Sequence, residues 1–432
     1  MRHDTPFDVT IVGGGMITEL QILPSIYHLK RIGKINEISI CALNTPPLER
    51  MARDEGLKRA FPGMSFRAYP DYAQESADKV FPELYKDVIR GVAARQIVVV
   101  ALPDQMHHAA VMFALQCDQH VLCVKPLTLS YREAAEIEAL ALEKGLFVGV
   151  EYHKRFDDRA SMARMKYRNG DFGEFRVGMA TLIEPWYYRD SNFQNWCTCE
   201  HSDMFTYIGC HYVDQVHTIT GLMPTAVSVY GMVEEYPNGN KGYLWTDGRV
   251  LWENGASLTV INGMGYPNVG AGGNSQGLWM FTQGRKDGGI IFHDDQYRGV
   301  KHSYVTKGDH PGDTYYNEPS PDYFKLIERG GEGLTPVGYG YRSVEGLVDA
   351  VGRVESHAAG ASDGGALARR QEMIKRIDAE GIVATPANSS FNELVVEAGR
   401  LSILHGGRDV VIEYGDSPQV RFKEISEYER WE

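Results

Sequence analysis

Basic residues are in deficit: 44 Lys and Arg face 57 Asp and Glu among 432 residues, a formal net charge of −13. A field of that sign repels phosphate backbones, so no nucleic-acid partner is expected. No apolar run approaches the ~20 residues that cross a bilayer, which excludes a helical membrane anchor within the sequence. The opening MRHDTPFDVTIV passes straight into an apolar segment, without the charged, apolar and small-residue regions of an export signal. A cytoplasmic protein with no membrane partner is the expectation. Cysteine is also scarce, six in all (Cys41, Cys117, Cys123, Cys197, Cys199 and Cys210), too few for a disulfide framework in so long a chain. Cys197-Thr198-Cys199 with His201 lacks a second ligand pair and is too tightly spaced for the usual structural zinc, so no metal is expected. Internal repeats and low-complexity linkers are absent, and only residues 358–366 are small enough in character to suit a flexible connection.

What is present is an ordinary globular composition, 43% hydrophobic and 23% charged, long enough for two or three domains. In the first third, apolar runs at residues 7–12, 37–43, 96–102, 120–124 and 146–150 alternate with helical stretches. Strands apolar on both faces belong in a parallel sheet covered by helices, and a repeated strand-helix unit predicts a doubly wound sheet. Ser130-Tyr131-Arg132-Glu133 is a capping-box pattern opening one such helix, which Gly145 stops. After about Glu151 the strands alternate polar and apolar residues, at 175–183, 226–233, 256–261 and 277–283, which predicts one covered and one open face. Turn signals at Pro237-Asn238-Gly239, Asp247-Gly248 and Asp287-Gly288-Gly289 predict hairpins and long loops. Near the end, Ser390-Phe391-Asn392-Glu393 opens another helix, Gly406-Gly407 stops it, and a strand at 410–414 follows. The fold class is α/β: a Rossmann-type doubly wound parallel sheet over residues 1–151, then an α+β domain with a large, mostly antiparallel open sheet over 152–355, then an extension of helix plus strand over 356–432 packing on either domain.

Gly13-Gly14-Gly15-Met16-Ile17-Thr18 follows the first strand and precedes a helix, where glycines let a backbone approach a pyrophosphate at the helix N-terminus. Thr18 holds the place of the third glycine. No acidic residue follows the second strand; Asn44 is placed there to meet a ribose hydroxyl, and NAD and NADP both stay open because no carboxylate repels a 2′-phosphate.

Five further segments stand in order along the chain: Pro103-Asp104-Gln105-Met106-His107 after the third strand, Val124-Lys125-Pro126 after the fourth, Lys154-Arg155-Phe156-Asp157 after the fifth, Gly209-Cys210-His211-Tyr212-Val213-Asp214, and Gly340-Tyr341-Arg342-Ser343-Val344-Glu345. Together, over roughly residues 7–355, they resemble the Gfo/Idh/MocA family of NAD(P)-dependent sugar and polyol oxidoreductases. The segments are similar to that family's P-N-x-x-H turn, its E-K-P motif with Val124 in place of the acid, its R-R-F/Y segment, the G-x-H-x-x-D core of its catalytic helix and its late return helix. The resemblance implies NAD or NADP held by Gly13, Gly15, Met16, Ile17, Asn44, Leu102, Pro103, His107, Lys125 and Pro126. It also implies a sugar or polyol substrate met by Lys125, Tyr152, His153, Arg155, Trp186, His211 and Asp214, and a homodimer or homotetramer. Two departures stand out. The acid four residues before the family's histidine is Tyr207 here, and Glu200-His201-Ser202-Asp203 replaces a glycine cluster.

Oxidation of a secondary alcohol needs a base for the hydroxyl proton, and His211 titrates in the working range. Lys125, between a buried strand and a proline, is suited to stabilise charge on the same oxygen. Tyr207 is a donor or proton relay in one reading and a core aromatic in another; Asp214 orients His211, binds a hydroxyl, or is a surface carboxylate. The loop from Glu184 to Trp196 gathers aromatics, amides and charge suited to pyranose faces and hydroxyls. The expected activity is hydride transfer at a ring hydroxyl of a sugar, glycoside or cyclic polyol. The alternatives are a redox-neutral NAD-dependent glycosidase or lyase with tightly bound cofactor, and a sensor that keeps the fold without turnover.

Overall fold

The computed structural model describes residues 6–269, 274–284, 288–294, 304–307, 314–317 and 323–428. The chain divides into two compact units. The first comprises residues 1–128, 132–156 and 323–390, the second residues 129–131, 157–322 and 391–432. The sequence boundary at 355–356 therefore falls inside one unit, and both the 152–355 and the 356–432 segments are shared between units.

The first unit is built on six parallel strands, β1 (Phe7–Val12), β2 (Ile35–Cys41), β3 (Arg67–Tyr69), β4 (Ile97–Val100), β5 (His120–Val124) and β6 (Val148–Glu151), in the order β3-β2-β1-β4-β5-β6. The order reverses direction between β1 and β4, the doubly wound arrangement whose ligand crevice lies beyond the carboxyl ends of the strands. The apolar runs are strands because both faces are covered: all of Ile97–Val100 is buried. β1 and β5 match their expected limits, whereas β3 is too short to carry a sequence signal. The helix Tyr339–Ala358 packs in this unit, with Val344, Leu347, Val351 and Val354 buried at helical spacing. Gly149 in β6 admits it, since a Cβ there would collide with Leu347. Residues 359–362 separate this helix from the next, Asp363–Glu380, so the expected connection is four residues long.

The second unit carries β7 (Glu174–Pro185), β8 (Pro224–Glu235), β9 (Lys241–Trp252), β10 (Ser257–Tyr266), β11 (Ser275–Gln283) and β12 (Gly288–Asp294). A hairpin of β13 (Tyr304–Lys307) and β14 (Thr314–Asn317) follows, whereas the hairpin of β15 (Lys325–Ile327) and β16 (Thr335–Val337) belongs to the first unit. β17 (Val410–Glu413) and β18 (Gln419–Phe422) extend the large sheet beside β8, giving the order β12-β11-β7-β10-β9-β8-β17-β18. Only β7 and β10 pair in parallel. The C-terminal segment thus completes this sheet, and residues 323–390 complete the first unit. Asp247-Gly248, expected as a turn, lies in the middle of β9, paired with β8 and β10. Glycine is used there because the Phe205 ring would lie 3.0 Å from any Cβ, and the same ring lies 2.6 Å from a Cβ built at Gly399. Pro237-Asn238-Gly239 does form the β8–β9 turn. Asp287 lies outside the described residues, and Gly288-Gly289 begin β12. Among the described residues no helix is long and apolar enough to cross a membrane.

At the opposite end of β5 from the carboxyl edge, His120 is fully buried. Its Nδ1 accepts from the Phe147 N–H at 2.9 Å, so Nε2 carries the proton and donates to Glu355 at 3.1 Å. Arg370 Nε donates to the same Glu355 oxygen at 2.9 Å. Burial lowers the His120 pKa, outweighing the carboxylate beside it. Burial alone would raise Glu355, but the hydrogen bonds from His120 and Arg370 prevail and bring it to about 2 from its ordinary 4.5. Both folded-state values are depressed, so the unfolded chain binds more protons in each window and stability falls with falling pH. The His120 contribution is lost below about 6.5, that of Glu355 between 4.5 and about 2. Replacing His120 with Leu is expected to cost ~1–3 kcal/mol at pH 7 by leaving the Phe147 N–H without its acceptor. In urea unfolding, the gap from the wild type should narrow below pH 6.5.

Candidate active site

The first unit places the glycine loop at the carboxyl end of β1. Gly13 has φ +121°, and a Cβ there would collide with the Ala101 carbonyl, so neither the conformation nor the space accepts a side chain. Its N–H donates to Cys41 O at 2.8 Å, while Ala101 N donates to Val12 O at 2.8 Å, fixing the loop between the ends of β2 and β4. Gly15 is exposed, with nothing within 4 Å of a Cβ position. Thr18, at the third-glycine position, is fully buried, and its hydroxyl donates back to Gly13 O at 2.8 Å. The helix opens at Met16 and passes through a π turn, Thr18–Ile22, before Leu23–Arg31. The first helical amides have no intrahelical acceptor and face the end of the helix where the dipole favours an anion. A loop without room for a side chain at Gly13, open at Gly15 and closed behind by Thr18, fits a dinucleotide pyrophosphate.

The other expected cofactor residues line the same edge. Asn44 is half-buried just beyond β2, and Leu102 and Pro103 are half-buried beyond β4. His107 is fully buried, each ring nitrogen 2.8 Å from a carbonyl oxygen, Leu102 on one side and Pro126 on the other. Expected at the cofactor, it is a pin that fixes the turns after β4 and β5 relative to each other. Lys125, 9% exposed, ends the β5 segment at this edge.

Beyond β6, Tyr152 is buried, and Arg155 is 5% exposed, its guanidinium 5.8 Å from the Tyr152 ring centre and donating to Asn388 Oδ1 at 3.0 Å. Arg155 thereby also ties the segment after β6 to the turn at Pro386–Ser389. His153 is more open; its Nδ1 lies 3.0 Å from Glu151 Oε2, and its ring stacks on Tyr339 with 5.4 Å between centres. Lys154, 2% exposed, places its ammonium 5.5 Å over the Tyr339 ring.

The second unit carries the other expected groups. Tyr207 lies in a π turn, Phe205–Gly209, immediately before the helix Cys210–Thr220 that holds His211 and Asp214. π turns of this kind recur at functional sites, and the chain has one behind the glycine loop and one before His211. Tyr207 packs edge-on against Phe193 and Trp196, with centres at 4.9 and 5.5 Å, so its ring belongs to an aromatic cluster. His211 is 5% exposed. Asp214 is 1% exposed and accepts from Asn392 Nδ2 at 3.0 Å, which corrects the surface-carboxylate reading. Asp203, read in the sequence only as part of the segment that replaces a glycine cluster, starts this helical segment: Oδ1 accepts from Thr206 N at 2.8 Å and Oδ2 lies 3.5 Å from Arg400. An Asp at a helix start is a readable local signal. Trp186 is half exposed, with the Arg189 guanidinium 3.9 Å over one face of its indole. Arg189 in turn donates to Met264 O at 2.7 Å and pairs with Glu234. The aromatic surface is therefore held by a cation anchored on two strands. Among the described residues no group of three or more His, Cys, Asp or Glu side chains is arranged to hold a metal.

Residues 7–152 match the Gfo/Idh/MocA oxidoreductase family, NAD-binding Rossmann fold. An uncharacterized oxidoreductase of Schizosaccharomyces pombe is 32% identical over 126 residues, 29% of this chain and 34% of that protein. The scyllo-inositol 2-dehydrogenase (NADP(+)) of Bacillus subtilis is 24% identical over 212 residues, 49% of this chain and 52% of that protein. The chain thus spans from a third to about half the length of these curated relatives. A scyllo-inositol dehydrogenase of Lactobacillus casei, solved with bound NAD(H) and scyllo-inositol, has a TM-score of 0.58 at 15% identity, covering 94% of this chain and 99% of that one, a likeness of fold.

The two glycines separate in a binding experiment. Gly15→Ala is expected to fold with an unchanged melting temperature and to bind NAD(H) at least ~10-fold more weakly in a fluorescence titration, since its Cβ occupies the open approach. Gly13→Ala is expected to lose both binding and melting temperature.

Proposed function

Because the Rossmann domain of this chain, residues 7–152, belongs to the Gfo/Idh/MocA oxidoreductase family, we propose that the protein is an NAD(P)-dependent dehydrogenase acting on a secondary hydroxyl of a sugar, glycoside or cyclic polyol. The observation that carries the proposal is in one unit: a glycine cradle closed by Thr18, and the largely buried Lys125 at the same carboxyl edge of the sheet. The relatives named for inositol support the substrate class.

When bound, the nicotinamide supplies the hydride acceptor or donor. Lys125 donates a hydrogen bond to the reacting oxygen and stabilises the charge that develops there as its proton leaves. His211 takes or returns that proton, and Asp214, held by Asn392, keeps the helix that presents it in place. Tyr207 assists as a donor from its aromatic cluster. Trp186 offers the apolar face of a sugar ring a flat partner, its other side fixed by Arg189. Asn44 meets the ribose without a charge, so discrimination between NAD and NADP is expected to be modest.

The test is the reduced-nicotinamide absorbance of the purified protein given NAD or NADP and a panel of inositols, sugars and glycosides. Absorbance that accumulates over many turnovers is expected. Glycoside cleavage with no net change in the cofactor would replace the reading with redox-neutral elimination. Lys125→Ala should lower turnover by ~10²–10⁴; full turnover in that variant would remove Lys125 from the chemistry.

We also propose self-association through the open face of the large sheet. Val177 and Met179 on β7 lie opposite Phe281 and Trp279 on β11, which lie opposite Ile290 and Phe292 on β12. All six are at least 41% exposed and form one apolar stripe across three strands. Contiguous exposed apolar side chains of this kind mark association surfaces. A homodimer or homotetramer is expected in sedimentation, and Trp279→Lys with Phe281→Lys should shift it to monomer at unchanged helix content.

A further inference from the structure

In the first unit, a partly open cavity of about 320 Å³ lies between the helix that holds Glu138, the helix Asp363–Glu380, β6 and the turn Pro386–Ser389. Leu142, Leu146, Val148 and Ile374 give it apolar walls, while Glu138 from one helix and Asp378 from the other line it as carboxylates. No other residue lining it, on any of these elements, is charged or titratable. Among the described residues neither carboxylate has a basic partner, and Glu138 accepts no hydrogen bond. Burial, and after it the charge of Asp378, raise the Glu138 pKa above its ordinary 4.5. Burial raises Asp378 above its ordinary 3.8 as well, although the Thr385 hydroxyl, donating to its Oδ1 at 2.6 Å, works against the rise. Asp378 also anchors the segment that follows it. Its carbonyl accepts from Asn388 Nδ2 at 3.3 Å, and Thr385 and Asn388 cap the next turn reciprocally. β6 is the edge strand of its sheet, and this segment is pinned to that edge by the Val150 N–H, which donates to Ala384 O at 2.8 Å.

We propose that Glu138 and Asp378 form a pH-sensitive latch: with a proton on the pair, residues 381–389 stay closed on β6, and with both carboxylates charged their repulsion loosens that segment. Two like charges at an apolar cavity repel more strongly than they would in water, and no cation lies between them to offset it. A proton on either one removes the repulsion together with the cost of burying one charge. Both folded-state values are raised, so the folded chain binds protons more tightly here than the unfolded chain does. The stability this lends is complete below the ordinary carboxylate range and is lost as the pH rises through the raised values. His120 and Glu355 act with the opposite sign, since their contributions are lost on acidification. Asn388 passes the change on, because its Oδ1 takes the hydrogen bond from Arg155 in the segment that follows β6. The protein thus holds the backing of its ligand edge more firmly in acid.

The test is amide hydrogen exchange of the full chain, read by mass spectrometry from about pH 4.5 to about pH 8 and corrected for the intrinsic rate of each amide. In the wild type, protection of residues 381–389 should fall about tenfold as the pH rises, the equivalent of one pKa unit. Glu138→Gln keeps the shape and removes one charge, so it should restore that protection at the alkaline end and match the wild type at the acid end. Asp378→Asn keeps an Oδ1 acceptor for Thr385 and should do the same; it serves as the variant if Glu138→Gln does not fold. Wild-type protection of this segment that stays flat across the range would overturn the latch whatever the variants do. So would folded variants whose exchange follows the wild type, or a gain in protection spread evenly over the whole first unit. The readout needs no cofactor and no turnover, so the latch stands or falls separately from the dehydrogenase reading.

Discussion

The backbone at Gly13 runs so close to the Ala101 carbonyl that no side chain fits between them, and most of the first unit's ligand edge follows from that contact. A positive φ at Gly13 turns the chain out of β1 and into a helix, so the helix begins with its unpaired amides at the carboxyl end of the sheet. In a third-glycine position a β-branched residue would ordinarily crowd the strand. Thr18 is accommodated because its hydroxyl has a partner, Gly13 O, and because the helix is widened there by a π turn. The same turn puts Gln21 on the buried side, from which it reaches Glu151 across 130 residues of sequence.

Two carboxylates at opposite ends of the parallel sheet are stabilised by the same means. Glu355, against the start of β5, takes hydrogen bonds from His120 and Arg370; Glu151, at the end of β6, takes them from Gln21, Ser343 and His153. A buried carboxylate is costly unless its lone pairs are filled, and each of these is filled from different elements of one unit. Each also determines which nitrogen of a neighbouring histidine bears a proton. At His120 the second nitrogen is tied to the Phe147 amide, which makes that ring structural. His153 stands at the ligand edge.

In the second unit the organising contact is apolar. The Phe205 ring lies under Gly209, Gly248 and Gly399, so a helix start, a central strand and the helix Phe391–Ile403 all approach it at backbone distance. That packing seats the π turn before His211 and leaves Asp214 within reach of Asn392. On the central strands alternate residues of this face are buried, whereas the apolar residues of the other face, Trp279 and its neighbours, form a continuous exposed stripe.

The strands β1 and β5, the helix from Tyr131, the glycine loop and the sheet type of each half were legible in the sequence, because each is written in local spacing: apolar residues on both faces or on one, a cap, or three glycines after a strand. Residues at the ligand edge were legible where they follow a strand directly, as Lys125 and His153 do. Their engagements were not. His107 and Arg155 read as ligand contacts, and only the fold showed both ring nitrogens of His107 against Leu102 and Pro126 and one Arg155 nitrogen against Asn388. Asp247-Gly248 read as a turn because the local chemistry of that pair is a turn's; pairing with β8 and β10 made it a strand, and the Phe205 ring accounts for the glycine. The strand at 410–414 was legible, but the division of the last 110 residues between two units had no local signature, since only pairing with β8 assigns β17 to the large sheet. Local propensity and periodicity decided which segments became strands and helices. Contacts between residues distant in sequence decided which polar groups are occupied and which face the ligand, and these exist only once the chain has closed on itself.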